Sequence, residues 1–170
     1  MQTVYILSGL PGCGKSTWAR RKAKGDMNTA IVCRDDLRSM FKGEYVFDVA
    51  FEPAIVEMAQ AVMDILLLRG FDVIIDETNL TKRCRTELID HLHAWCKIAW
   101  GGYPHVPLLR IVCVQFPEDR SHVQRRIMEH RGYSPGKWIE VIEGMKKTRE
   151  IVSMDEGFSE ILTISDPNNG

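Results

Sequence analysis

The stretch Gly9-Leu10-Pro11-Gly12-Cys13-Gly14-Lys15-Ser16-Thr17 constrains this chain more than any other. It follows Thr3-Val4-Tyr5-Ile6-Leu7, a run with the β-branched and aromatic makeup of a buried strand. A strand entering G-x-x-x-x-G-K-[ST] predicts a phosphate-binding loop. Its glycines let successive backbone N–H groups turn toward one concavity, and the following helix adds the positive end of its dipole. Lys15 is expected to reach the β/γ oxygens of a nucleoside triphosphate and Ser16 to ligate Mg²⁺, with Gly12, Cys13, Gly14 and Thr17 completing the ATP site. A Gly-rich turn alone needs no ligand, but it has no use for the Lys-Ser that follows.

The chain has 170 residues and is 45% hydrophobic, which suits one ordinary core, so residues 1–170 are expected to form a single domain. No run approaches the roughly 18 apolar residues of a membrane span, and the N-terminus opens into a strand where a cleavable leader would carry basic and then apolar residues. A cytoplasmic location is the expectation. The five cysteines are odd in number and lack C-x-x-C spacing, and Cys33 and Cys113 fall in strand-like runs. Neither disulfides nor zinc is implied. A net charge of −1 excludes a global basic field, so any polyanion must be held locally.

In chain order, Lys15 to about Lys24 predicts a first helix, packing through Trp18 and Ala19. Thr29–Cys33 reads as a second strand entering a helix at Arg34-Asp35-Asp36-Leu37-Arg38. One Asp there can cap that helix, yet two acids and two arginines exceed what capping requires. Ligands of parallel α/β sheets sit just outside such strand ends. Phe47 to Arg69 reads as a long helix started or kinked near Pro53 and stopped at Gly70. Phe71–Ile75 predicts a third strand running into Asp76-Glu77-Thr78-Asn79. Apolar residues before an acid pair resemble the Walker B pattern, in which an Asp supports Mg²⁺ and a following Glu can activate water. A strand followed by an Asx turn reads the same way. Thr81 to about Ala99 is amphipathic at helical spacing. His91 and His93 lie two apart, pointing in different directions on a helix, so they form no metal pair.

Trp100 to Pro107 reads as a Gly/Pro loop, in which Trp100 and Tyr103 either stack on a base or pack over their own helix. Leu108–Phe116 predicts a fourth strand, an arginine-bearing helix follows Pro117, Trp138–Ile151 forms another helix, and Ile161–Ile164 a last short strand. Strands alternating with helices predict an α/β fold, a doubly wound parallel sheet of about five strands with helices on both faces.

Taken together, the Gly9–Thr17 loop, Arg34-Asp35-Asp36-x-Arg38, Asp76-x-Thr78-Asn79-Leu80 and the arginines before Ser134-Pro135 resemble the 5′-kinase domain of bacteriophage and bacterial polynucleotide kinases. The resemblance runs from residue 3 to about 150. It implies a P-loop kinase-type fold with an arginine-bearing lid at roughly 118–150, and transfer of the γ-phosphoryl of ATP, or another NTP, to a 5′-hydroxyl end of DNA or RNA. Asp35 would then be the general base, Arg38 the grip on an acceptor phosphate, and Thr78 and Asn79 part of the acceptor site. Lys15 and Ser16 would serve the γ-phosphate and Mg²⁺, with Asp76 supporting the metal, although in some relatives Glu77 is the matching acid. Arg126 and Arg131 resemble the lid arginines; that family spaces these four apart and here they stand five apart, so either Arg125 is the counterpart or the lid carries one extra residue. The fused phosphatase domain of the phage enzyme has no counterpart motif. Nucleic acid repair is the implied setting, and oligomerisation is left open. Two other readings share these residues: a small-molecule kinase acting on a sugar, antibiotic or nucleoside hydroxyl, and an ATPase module using Glu77 to activate water.

Overall fold

The computed structural model describes residues 1–99, 109–117 and 134–165. Five strands, β1 (Thr3–Ser8), β2 (Thr29–Val32), β3 (Asp72–Ile75), β4 (Arg110–Gln115) and β5 (Glu160–Thr163), form one sheet in the order β2-β3-β1-β4-β5. Every pairing is parallel. Parallel neighbours need crossovers, and helices α1 (Lys15–Gly25), α2 (Arg34–Lys42), α3 (Glu52–Leu68), α4 (Lys82–Ala99) and α5 (Pro135–Thr148) are found between them, with a short 3₁₀ turn at Met154–Glu156.

β1 is buried along its whole length, as a central strand covered on both faces must be. Its side chains alternate between two cores. Val4 and Ile6 join Val73, Ile75, Ile111 and Cys113 against Ala59, Met63 and Leu67 of α3 and Ile89 and Leu92 of α4. Tyr5 and Leu7 join Ile74, Val112 and Val114 against Trp18 and Ala19 of α1. Trp18 meets Tyr5 and Phe116 edge-on, at ring centroid distances of 5.8 and 6.3 Å. Burial pushes the Cys113 thiol up to about 12, so it packs as a small hydrophobe, and all five cysteines are free.

The expected helix over Phe47–Arg69 starts later than its apolar spacing suggests. It begins at Glu52 with Pro53 in its first turn, because proline needs no N–H partner there, and ends before Gly70 at φ 88°. Residues 43–51 instead form an irregular connection in which Phe41 of α2 stacks on Phe51, centroids 5.1 Å apart. The helix expected at Trp138–Ile151 is shifted to Pro135–Thr148, since Ser134 caps it by accepting from the Lys137 N–H and proline again fills the first turn. Trp100, Tyr103 and residues 118–133 of the lid expected at roughly 118–150 lie outside the described residues, and Pro135–Thr148 of that span is α5. Among the described residues no helix is long and apolar enough to cross a membrane.

Candidate active site

The loop between β1 and α1 is shaped by its glycines. Gly12 and Gly14 take φ of 81° and 97°, conformations that favour glycine, and turn the chain into the N-terminus of α1. Gly9 is required for a different reason: a Cβ there would lie 2.7 Å from Cys13 Sγ and 2.9 Å from Phe116 Cβ. Lys15 is buried, and its ammonium donates to the carbonyls of Gly9 (2.8 Å) and Leu10 (2.7 Å), with Cys13 Sγ at 3.7 Å. The lysine charge is thereby fixed against its own loop. Thr17 is exposed on the first turn of α1.

The strand period decides where the two acids after β3 go. Ile74 faces the α1 side and Ile75 the α3–α4 side, so successive residues alternate onward past the strand end. The Asp76 N–H still pairs with the Val32 carbonyl at 2.9 Å, and the Asp76 carboxyl falls on the α1 side, hydrogen-bonded to the Ser16 hydroxyl and within reach of the Lys15 charge. Burial holds its pKa above the usual carboxylate range despite those two opposing influences. Glu77 falls on the other side and pairs with Arg34 at the start of α2. Burial raises its pKa too, opposed by Arg34. Ser16 and Asp76 are hard oxygen donors side by side and suit Mg²⁺, which takes one or two protein ligands and completes its shell with phosphate and water. Among the described residues no group of three His, Cys, Asp or Glu could hold a metal, and such an ion does not need one.

Asp35 and Arg38, three apart on α2, share one face as their spacing predicts: Arg38 Nη1 donates to Asp35 Oδ1 at 2.6 Å. The rest of the fork is taken by Glu52 at the start of α3, with Nε and Nη2 donating to its two oxygens at 2.7 Å each. The Arg38 guanidinium also lies over the Phe47 ring, 5.6 Å from its centroid. Cys33, and not an Asp, occupies the cap position of α2. Thr78 and Asn79 join the two loops. The Thr78 carbonyl accepts from Gly9 N–H at 3.0 Å, and the Asn79 amide donates to the Leu7 carbonyl at 2.9 Å, with Asn79 at φ 40°.

The structure therefore brings Lys15, Ser16 and Asp76 together and pairs Arg34 with Glu77, while the Asp35 carboxylate, bonded to Arg38, is near enough to raise the pKa of both acids. Arg125, Arg126 and Arg131 lie outside the described residues. Sequence reasoning missed three partners. Glu52 has no motif to mark it, 14 positions from Arg38. Arg34 opened the acid-arginine segment without a role. Arg85 of α4 is fully buried: it pairs with Glu156 at 2.7 and 2.8 Å and donates to the carbonyls of Asn79 (3.1 Å), Leu80 (3.0 Å) and Ile151 (3.3 Å).

Residues 4–149 match the family described as AAA domain. Two structures of the Pnkp1/Rnl/Hen1 complex, one described as an RNA repair complex, contain similar chains, at 29% and 26% identity and TM-scores of 0.56 and 0.61. They cover 76% and 88% of this chain, which spans only 39% and 46% of theirs. A fungal RNA kinase shares the fold over 99% of this chain and 77% of its own, with a TM-score of 0.66 at 12% identity. A Janibacter sugar kinase does so over 100% and 87%, with a TM-score of 0.53 at 16% identity. No curated protein matches the chain.

Proposed function

The chain belongs to the AAA domain family and has the P-loop kinase fold, and from that premise we propose that it is a polynucleotide 5′-hydroxyl kinase, transferring the γ-phosphoryl of ATP to 5′-OH ends of DNA or RNA. The observation that carries the reading is Asp35 bonded to Arg38 and near enough to raise the pKa of Asp76, the acid that meets Ser16 and Lys15. The likeness to Pnkp1-containing assemblies supports the choice of acceptor.

Phosphoryl transfer asks mainly for positioning and charge neutralisation. Lys15 and the N–H groups of Gly12, Cys13 and Gly14 hold the β- and γ-phosphates, Thr17 flanks them, and Ser16 with Asp76 holds Mg²⁺, which supplies charge neutralisation on the phosphates when bound. Asp35 takes the proton of the attacking 5′-hydroxyl, and Arg38 orients that carboxylate. Three of the five Arg38 N–H groups are engaged by Asp35 and Glu52, so an acceptor phosphate meets the remaining two. Thr78 and Asn79 hold the acceptor side to the phosphate loop. Arg126 and Arg131, or Arg125 in place of one, close over the triphosphate.

A second reading, a kinase for a small neutral alcohol, is favoured by the carboxylates crowding Arg38, which make that surface less welcoming to a polyanion. One experiment separates them. With γ-labelled ATP and Mg²⁺, label should appear at the 5′ end of hydroxyl-terminated oligonucleotides. Transfer confined to sugars or free nucleosides refutes the polynucleotide assignment.

A further inference from the structure

Beside the carboxyl ends of β2 and β3, on the face away from α1, a cavity of about 160 Å³ opens between α3 and α4. Val56, Ala59, Met63 and Leu88 give it largely apolar walls, Gln60, Asn79 and Glu87 add polar groups, and the Arg34–Glu77 pair contributes charge. Sites for whole drug-sized ligands run to about 300–1,000 Å³, so this one suits a single ring system. Arg34 Nε is the buried side-chain polar atom left without a hydrogen-bond partner among the described residues. That atom is itself closed off, so what an occupant meets is the exposed remainder of the Arg34 side chain and the Glu77 carboxylate.

The chemistry of the lining discriminates between occupants. A sugar ring carries hydroxyls around its circumference and would lose their water against apolar walls. A nucleobase has two apolar faces and concentrates its polar atoms at the rim. Each of the four bases presents a neighbouring acceptor and donor on its Watson–Crick edge, matching the Arg34 N–H and the Glu77 carboxylate. Position agrees, because Arg34 directly precedes Asp35 on α2. A nucleoside whose base entered the cavity would have its ribose close to the proposed general base.

We propose that this cavity receives the 5′-terminal nucleobase of the acceptor, whichever base it is. The proposal rests on the polynucleotide kinase reading. It makes the terminal base a recognition element and Ala59, Arg34 and Glu77 determinants of acceptor specificity.

The test uses two 5′-hydroxyl oligonucleotides identical except that one has an abasic first nucleotide. The wild-type protein should show a KM for the abasic strand higher by about tenfold or more, the scale expected when the apolar contacts of one buried ring are lost. The kcat should stay within about threefold, since binding and not chemistry is affected. Ala59→Phe, which fills the cavity, should raise KM for the base-bearing strand toward the abasic value and leave the abasic strand nearly unchanged. If Ala59→Phe does not melt cooperatively, the wild-type comparison decides alone. Equal KM for both strands in the wild-type protein, or a difference that survives a folded Ala59→Phe, overturns the proposal and leaves the kinase reading standing. Absence of transfer to any oligonucleotide refutes the kinase reading itself, and the proposal with it.

Discussion

Glu156→Ala should be among the most destabilising substitutions in this chain, although Glu156 lies far from the phosphate loop in sequence. Its side chain and that of Arg85 are both fully buried, and the carboxylate takes two guanidinium N–H groups as well as the Ser153 N–H at 3.0 Å. Removing it leaves a cation in the core without its counter-charge, which costs about 3–5 kcal/mol. A domain of this size loses about 2–4 °C of Tm per kcal/mol, so the melting point should fall by roughly 6–20 °C. The double variant Arg85→Met/Glu156→Leu should fare better than Glu156→Ala. It strands no charge, and two of the carbonyls Arg85 serves keep other donors: Ser8 Oγ to Asn79 at 3.1 Å and Glu150 N–H to Leu80 at 2.9 Å. The Ile151 carbonyl and the Ser153 N–H then need water, neutral groups whose penalty of about 1–3 kcal/mol each is smaller than that of a stranded charge where water reaches them. Urea melts by circular dichroism and calorimetric scans of the three proteins provide the measurement. A Glu156→Ala loss below about 1 kcal/mol, or a double variant less stable than the single one, would refute the reasoning.

Asp35→Asn keeps the shape of the side chain and removes the proton acceptor, so transfer should fall by about 10² or more while ATP affinity, measured by titration, barely changes; near-normal transfer would remove Asp35 from the mechanism. Asp76 gives a pH prediction: burial, the largest influence, raises its pKa from 3.8 despite its bond to Ser16. A raised pKa means the folded state binds the proton more tightly, so this stabilisation is complete below pH 3.8 and is lost as pH rises through the folded value. Asp76→Asn should therefore stabilise the ligand-free protein at pH 7 to 8 relative to pH 4, with transfer impaired; urea melts showing the gain at pH 4 instead would reverse the assignment.

The phosphate loop and the alternation of β1 were legible because each is a local pattern. The glycines, Lys15 and Ser16 lie within one turn of backbone, and strand period assigns Val4 and Ile6 to one core and Tyr5 and Leu7 to the other. The pairing of Asp35 with Arg38 was legible for the same reason, since helical spacing alone puts them on one face. What escaped was tertiary. Nothing in the sequence says that Arg38 meets a carboxylate at the start of α3, or that Arg85 reaches across to the 3₁₀ turn before β5. The α3 boundary was missed because Val49, like many residues at helical spacing, is an exposed apolar side chain in an irregular segment, and periodicity does not report burial.

The succession Asp76-Glu77 shows how one strand end divides the site's labour. Two adjacent carboxylates at a buried sheet edge would repel each other if both faced one side, and one would be neutralised at working pH. Strand alternation sends them to opposite faces, and each face supplies its own compensation. Asp76 meets the Ser16 hydroxyl and the Lys15 charge, and Glu77 meets the Arg34 guanidinium. On the proposed reading the first acid serves the triphosphate and the second faces whatever enters between α3 and α4. Its pairing with Arg34 ties the Glu77 carboxylate to the start of α2, so the hydrolytic reading of this acid would require that pair to open before Glu77 could take a proton from water.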